Sequence, residues 1–300
     1  MKKLILLAAA AVLTGGTDTD AAETLPSSYD YTIIDGEATI VGYTGKPVYI
    51  DIPGFIEGCP VTEVRDNAFY NCNSLKWIRL PDTVEKIGHH SFYACYELET
   101  AELPEGLEEI GMGCFCGCAS LSVVDLPDSL RVLPDSCFRA CTSLTDAELP
   151  AGLEAVDKFC FSGCTALKNV KTGDCLVSIG ERAFYQCHNM DTVYLPPTVE
   201  TIGDEALGYD CDGNLLIKQT DLVITGEPGS AAEQYAHENG LTFCSGEPSA
   251  AAFAELRPLE DEVPFAAWLG LFVFGTIAAL VLWLVFRRGE RDSLNKDEND

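Results

Sequence analysis

Seven successive units begin at Val61, Val84, Leu107, Leu130, Leu153, Leu176 and Val199, a spacing of 23 residues kept without an insertion. One unit reads VEKIGHHSFYACYELETAELPEG and the next LEEIGMGCFCGCASLSVVDLPDS. A unit this short cannot bury an apolar face alone, so such units stack and share one continuous core. The period therefore fixes the class as a repeat solenoid before any motif is read.

Phe69, Phe92, Phe115, Phe138, Phe161 and Phe184 share one repeat position, and Cys72, Cys95, Cys118, Cys141, Cys164 and Cys187 follow three residues later. A second column of small residues runs Ala68, Ser91, Cys114, Cys137, Cys160 and Ala183. In isolation the triplet Cys114, Cys116, Cys118 suggests a zinc knot, but two of its thiols are repeat positions. Both columns read as buried structural thiols, because a thiol is a small hydrophobe with a weak donor. Coils stacked about 4.8 Å apart keep parallel Cβ atoms beyond the disulfide range of about 3.5–4.5 Å. Reduced thiols are thus expected, against the habit of secreted cysteines. Cys59, Cys116, Cys175, Cys211 and Cys244 lie off the columns. The histidines (His89, His90, His188, His237) occupy unrelated positions, so neither a metal nor another cofactor is expected.

Each unit also carries a segment such as LKWIRLP, LETAELP, LSVVDLP, LTDAELP or MDTVYLP, of the form L-x-x-L-x-L with proline after. The longer pattern, clearest in LPDTVEKIGHHSFYACYEL and LVSIGERAFYQCHNM, resembles the BspA-like leucine-rich repeats of bacterial surface proteins. The resemblance covers about 29–243. It implies a right-handed, β-rich α/β horseshoe-type solenoid, with short parallel strands lining one face and a function in adhesion to proteins or glycoproteins. YTIIDGEATIVGYTG and the residues to Val64 look like that family's lead-in, and GEPGSAAEQYAHENGLTF like its closing segment. In the latter, Ser230 with Glu233 forms a capping box for a short helix that Gly240 ends. Two units depart from the pattern. VKTGDC puts Thr172 and Gly173 where Leu and Pro are expected, which predicts a loosened strand. In the last unit Leu207 replaces Phe, and GYDCDGN slips the register so that Asp210 takes the cysteine position.

In L-x-x-L-x-L the residues around the penultimate apolar position point outward. They form one column of Trp77, Thr100, Val123, Asp146, Asn169 and Thr192, and another of Arg79, Glu102, Asp125, Glu148, Lys171 and Tyr194. The second stacks three carboxylates on adjacent coils, where like charges about 5 Å apart repel by roughly 0.8 kcal/mol per pair in water. Trp77, Arg79, Glu102, Asp125, Asp146, Glu148, Lys171 and Tyr194 make up the candidate binding strip for a basic or cation-bridged protein partner. Asp210, Asp212, Asn214 and Asp221 mimic a calcium loop, but Leu215 stands where its glycine is needed. No nucleophile with a base, phosphate loop or buried carboxylate pair occurs, so no catalytic residue, small-molecule substrate or enzyme activity is expected.

The ends place the chain. Lys2 and Lys3 precede a short apolar run and small residues, a signal peptide over 1–22. Residues 265–286 hold 22 residues without a charge, long enough to span a bilayer, and Arg287, Arg288 and Arg291 follow. The expected order is lead-in 23–60, coils 61–221, C-terminal cap 222–245, acidic stalk 246–264, membrane helix 265–286 and a cytoplasmic tail 287–300. Between Ala22 and Pro264 stand 13 Lys and Arg against 40 Asp and Glu, a net charge of −27 that excludes nucleic acid. The reading is a single-pass surface protein with its solenoid outside. A scaffold for proteins of the producing cell's own envelope is the alternative.

Overall fold

The computed structural model describes residues 29–213 and 215–246. The signal peptide, the membrane helix over 265–286, the tail and nearly all of the stalk lie outside the described residues. Within them no helix is long and apolar enough to cross a membrane.

Each coil contributes two strands to two separate parallel ladders. The L-x-x-L-x-L strands pair at the 23-residue offset, with Trp77 opposite Thr100, Thr100 opposite Val123, Asp146 opposite Asn169 and Asn169 opposite Thr192. Two-residue strands such as Lys86–Ile87, Glu109–Ile110, Ala155–Val156 and Ser178–Ile179 build the second ladder. The strand face begins earlier than the seven units: Tyr49–Asp51 pairs in parallel with Trp77–Arg79. A hairpin of Phe55–Ile56 against Cys59–Val64 absorbs the extra residues between them. Upstream, Tyr29–Ile34 and Glu37–Tyr43 form a hairpin over Asp35-Gly36, both at positive φ (54° and 87°), as a tight turn in twisted strands requires.

The third side carries no helix, which corrects the α/β expectation. Its A-F-x-x-C segments are successive β-turns, closed by bonds such as Ala68 N–H to Arg65 C=O (3.2 Å) and Cys72 N–H to Phe69 C=O (3.1 Å). The intervening N–H groups point along the solenoid axis instead. Asn67, Phe69 and Asn71 donate to His89, Ser91 and Tyr93 at 2.9, 2.8 and 2.7 Å. Alternation of turn bond and axial bond holds the residue before each cysteine at positive φ, including Ala94 (56°) and Ala140 (60°). Non-glycine residues accept that conformation at about 1–2 kcal/mol each, and the axial bonds that it permits offset this.

Inside, the six phenylalanines stack at centroid distances of 5.2–5.4 Å with rings within 11° of parallel. Burying each contributes roughly 2 kcal/mol. The thiol of each column cysteine donates to the phenylalanine carbonyl one coil back: Cys95 to Phe69, Cys118 to Phe92, Cys141 to Phe115, Cys164 to Phe138 and Cys187 to Phe161, at 3.1–3.2 Å. Cys72, on the first coil, has no such partner and is half-buried. In the second column Cys114, Cys137 and Cys160 are fully buried, and Ser91 satisfies its hydroxyl on Arg65 and Gly88 carbonyls (2.9 and 2.8 Å). All 14 cysteines are free thiols. Burial raises the column thiols, with Cys95 and Cys164 pushed up to about 12.

The strand expected to be loose is intact: Asn169–Lys171 pairs on both sides, and Thr172 Oγ1 donates to Tyr194 C=O (2.9 Å). The discontinuity lies elsewhere, between the coils of Val123 and Asp146, where both ladders stop. In neighbouring coils an N–H on Gly88, Gly111, Asp157, Gly180 or Gly203 donates to the coil before at 2.7–2.8 Å. The equivalent residue here is Pro134, which has no N–H to give to Ile110. On the strand face Lys168 N–H reaches Thr145 C=O (2.8 Å) and Leu149 N–H reaches Lys171 C=O (2.9 Å), but Thr145 and Leu126 N–H groups make no matching bond. Only the turn side continues, through Phe115 N–H to Cys137 C=O (2.8 Å) and the Phe115–Phe138 stack.

The C-terminal end is closed by the helix Ala231–Asn239, stopped at Gly240 with φ 66°. The capping box forms only in part. Ser230 Oγ is buried without a hydrogen bond, and Glu233 reaches one residue further back, to Gly229 N–H (2.7 Å). Tyr235 bonds both backbone groups of Leu207 at 3.0 Å, seating the helix on the last coil. The slipped register of the last unit is a hairpin, Tyr209–Asp212 against Leu215–Lys218.

Four outcomes test this architecture. Phe138→Ala is predicted to cost about 3–5 kcal/mol in urea unfolding, and a loss under 1 kcal/mol would contradict a packed stack. In native protein iodoacetamide modifies the exposed Cys175 and Cys244 but not Cys114, Cys137 or Cys160, as counted by mass spectrometry. The raised thiols favour the neutral form in the fold, so stability is lost as pH rises from the ordinary thiol value of 9.0 through about 12. A melting temperature flat across that window would refute it. By hydrogen exchange, the Thr145 and Leu126 amides exchange faster than those of Lys168 and Leu149.

Candidate functional site: the strand face

The sequence columns exist as columns. Arg79 stands opposite Glu102 and Glu148 opposite Lys171, with Trp77, Thr100 and Val123 alongside. Most of these side chains have partners, but of the three stacked carboxylates only Glu148 has a cationic one. Arg79 forms a two-pronged pair with Asp51 (2.8 and 2.5 Å). Glu102 accepts from Trp77 Nε1 (3.1 Å), and Glu148 is ion-paired with Lys171. Asp146 accepts from Asn169 Nδ2 and from Thr145 Oγ1, both at 2.6 Å. The Asp125 carboxylate has no hydrogen bond or ion pair among the described residues, and the residue lies just past its two-residue strand Val123–Val124. Tyr194 is half-buried opposite Thr225, five coils from Trp77.

Two groups of surface residues escaped the sequence reading. The first is Tyr49 and Asp51, which extend the columns by one coil; Tyr49 is 71% exposed beside Trp77. The signal was the match of IDIP (Ile50–Pro53) to IRLP (Ile78–Pro81), hidden by a longer spacing. The second is on the turn side, where Tyr70 and Tyr93 stack at 5.0 Å and Tyr70 and Tyr96 are 52% and 53% exposed. Tyr70 and Tyr93 share the position one residue after the phenylalanine, which the period alone reveals.

Among the described residues no group of three or more His, Cys, Asp or Glu side chains could hold a metal ion. Of the calcium-like residues, Asp210 and Asp212 lie on the terminal hairpin, Asp221 lies beyond it, and Asn214 is outside the described residues. Asp210 accepts from Cys211 N–H (2.7 Å) and faces His188 Nδ1 (3.3 Å), while Asp212 is exposed. The arrangement offers an exposed, hydrogen-bonded surface of side chains.

Residues 62–174 and 134–214 match the BspA type leucine-rich repeat region, in six copies. The chain belongs to the BspA-type leucine-rich-repeat family. Among solved BspA-type and other leucine-rich-repeat structures, a leucine rich cell surface protein from Faecalibacterium prausnitzii is 27% identical, with a TM-score of 0.53. That match covers 69% of this chain and 59% of the other. The leucine-rich repeat protein of T. pallidum is 32% identical over 55% of this chain and 90% of its own, with a TM-score of 0.47. One from Eubacterium ventriosum shares 20% identity over 59% of this chain and 49% of its own, at a TM-score of 0.52, a likeness of fold alone. No curated protein matches the chain.

Because the Glu148–Lys171 pair is solvent-exposed, its screening by water leaves it little weight in folding. Lys171→Met is predicted to change unfolding free energy by less than about 1 kcal/mol. A larger loss in urea titration would mean that the face is organised for stability rather than contact.

Proposed function

We propose that the chain is a surface-displayed binding protein, anchored through residues 265–286, whose strand face takes a protein or glycoprotein partner. The observation that carries the reading is the aromatic edge of that face. Tyr49, 71% exposed, stands beside Trp77, whose indole is fixed by Glu102, and the column continues to Val123, 50% exposed. Rigid aromatic side chains on a hydrogen-bonded ladder, rimmed by ion pairs, are what interface hot spots are made of. Membership of the BspA-type family and the cell-surface description of the Faecalibacterium protein support display outside the cell.

The test is binding of the full chain, held in detergent micelles, to arrayed matrix and cell-surface glycoproteins. Tyr49→Ser with Trp77→Ala is expected to weaken capture about tenfold or more, since aromatic anchors typically carry over 1 kcal/mol each. The turn-side pair Tyr70→Ser with Tyr96→Ser should leave it unchanged. Reversal of those two results would move the site to the turn-side tyrosines. Absence of any micromolar binding would sink adhesion, and cross-linking to the cell's own envelope proteins would then establish the scaffold.

A further inference from the structure

The break in the strand ladder is also a cleft. Between the coils of Val124, Leu149 and Thr172 lies an opening of 360 Å³ on the strand face. Four carboxylates line it, Asp125, Asp128, Glu148 and Asp174, against one cation, Lys171, which is already paired with Glu148. Its apolar lining includes Leu126, half-buried like Leu103, where the equivalent Leu80 and Leu149 are buried. The cleft lies beside the unzipped ladder, and Leu126, like Leu103 one coil before it, lacks the axial N–H bond that Leu80 makes to Glu102 (3.1 Å) and Leu149 to Lys171 (2.9 Å). Gly173 lets the wall fold inward; a Cβ there would lie 2.5 Å from Pro150 C=O.

We infer that this cleft is the specificity pocket of the strand face, and that it receives an arginine or lysine side chain from an extended segment of the protein partner. The inference rests on the binding function proposed above and names the chemistry of the partner. Charge complementarity selects the occupant: an unpaired Asp125 with Asp128 and Asp174 leaves net negative charge around an apolar floor, with Arg131 held on the Asp128 and Gly152 carbonyls (3.2 and 3.1 Å) as the nearby cation, which suits a long methylene stem with a cationic head. The volume is at the small end for ligand sites, room for one long side chain rather than a large free ligand. A bare divalent ion is a poorer match, because the carboxylates are spread over adjacent coils and do not converge as a ligand set. The open Leu126 N–H supplies a donor to the partner's own backbone at the pocket mouth.

The test uses the full chain in detergent micelles and a fluorescein-labelled peptide, Gly-Arg-Gly-Arg-Gly, followed by anisotropy, with Gly-Glu-Gly-Glu-Gly as the opposite-charge probe. Salt-sensitive binding of the arginine peptide alone is expected. Asp125→Asn with Asp128→Asn and Asp174→Asn is expected to weaken it about tenfold. A control that removes equal charge from exposed sites elsewhere, Glu85→Gln with Glu108→Gln and Glu200→Gln, should shift it by less than about twofold. The bound peptide should slow exchange of the Leu126 amide, a readout that loose charge attraction would not move. No binding, equal losses in the two triple variants, or an unprotected Leu126 amide would each overturn the pocket. So would spermidine competing as well as the peptide, since that assigns the cleft to free polyamines. Glycoprotein capture that survives in the cleft variant while the peptide fails to bind would sink this inference and leave the proposed function standing.

Discussion

Everything in this molecule depends on the axial hydrogen bond. A coil of 23 residues has too little interior to hold itself, and its backbone donors would be left open on both sides. Stacking answers both needs at once: each N–H that leaves a turn or strand along the axis finds a carbonyl one coil away, and the same translation superposes phenylalanine on phenylalanine. The thiol ladder follows from that register. A cysteine placed three residues after the ring lies under the carbonyl that the stack presents, so a weak donor finds an acceptor that a larger side chain would cover. Repeating one geometry also makes any departure from it visible, because a residue that cannot donate breaks the bond at one level only.

That dependence explains how much the sequence revealed. The period, the ring and thiol columns and the outward faces were legible because each is a property of one repeat position. The α/β horseshoe implied by the resemblance does not hold on the turn side, because A-F-x-x-C, whose apolar groups three apart would also fit a helical turn, forms two linked β-turns. Only the axial partners, Ser91 for Phe69 or Cys114 for Phe92, decide between them. Thr172 and Gly173 drew attention as departures from consensus, yet their coil keeps its bonds. Pro134 drew none, although the loss of one donor carries through to the ladder on the adjoining face. Consensus loss and hydrogen-bond loss are different things, and the second was the informative one.

The candidate face shows a related limit. Stacked carboxylates looked like stored repulsion because the sequence gives columns but not the lateral reach of side chains. Lys171 comes in from the neighbouring coil to neutralise Glu148, the indole of Trp77 takes up Glu102, and Arg79 is occupied by Asp51. What remains distinctive is local: an aromatic edge at the first strands, and Asp125 beside the interruption. The lead-in therefore supplies part of the face as well as a cap, since Tyr49 and Asp51 both come from it.

The interruption has a mechanical side. With both ladders severed at one level, the backbone hydrogen bonds that join the two halves of the solenoid there are those of the turn wall, beside the stacked rings and the shared apolar core. A rod built this way is not equally stiff in all directions at that level: it resists shear across the aromatic stack but gives by bending about the turn side. Tension along the solenoid axis concentrates at the Phe115–Phe138 contact. The seam beside Pro134 is where such a rod would first open.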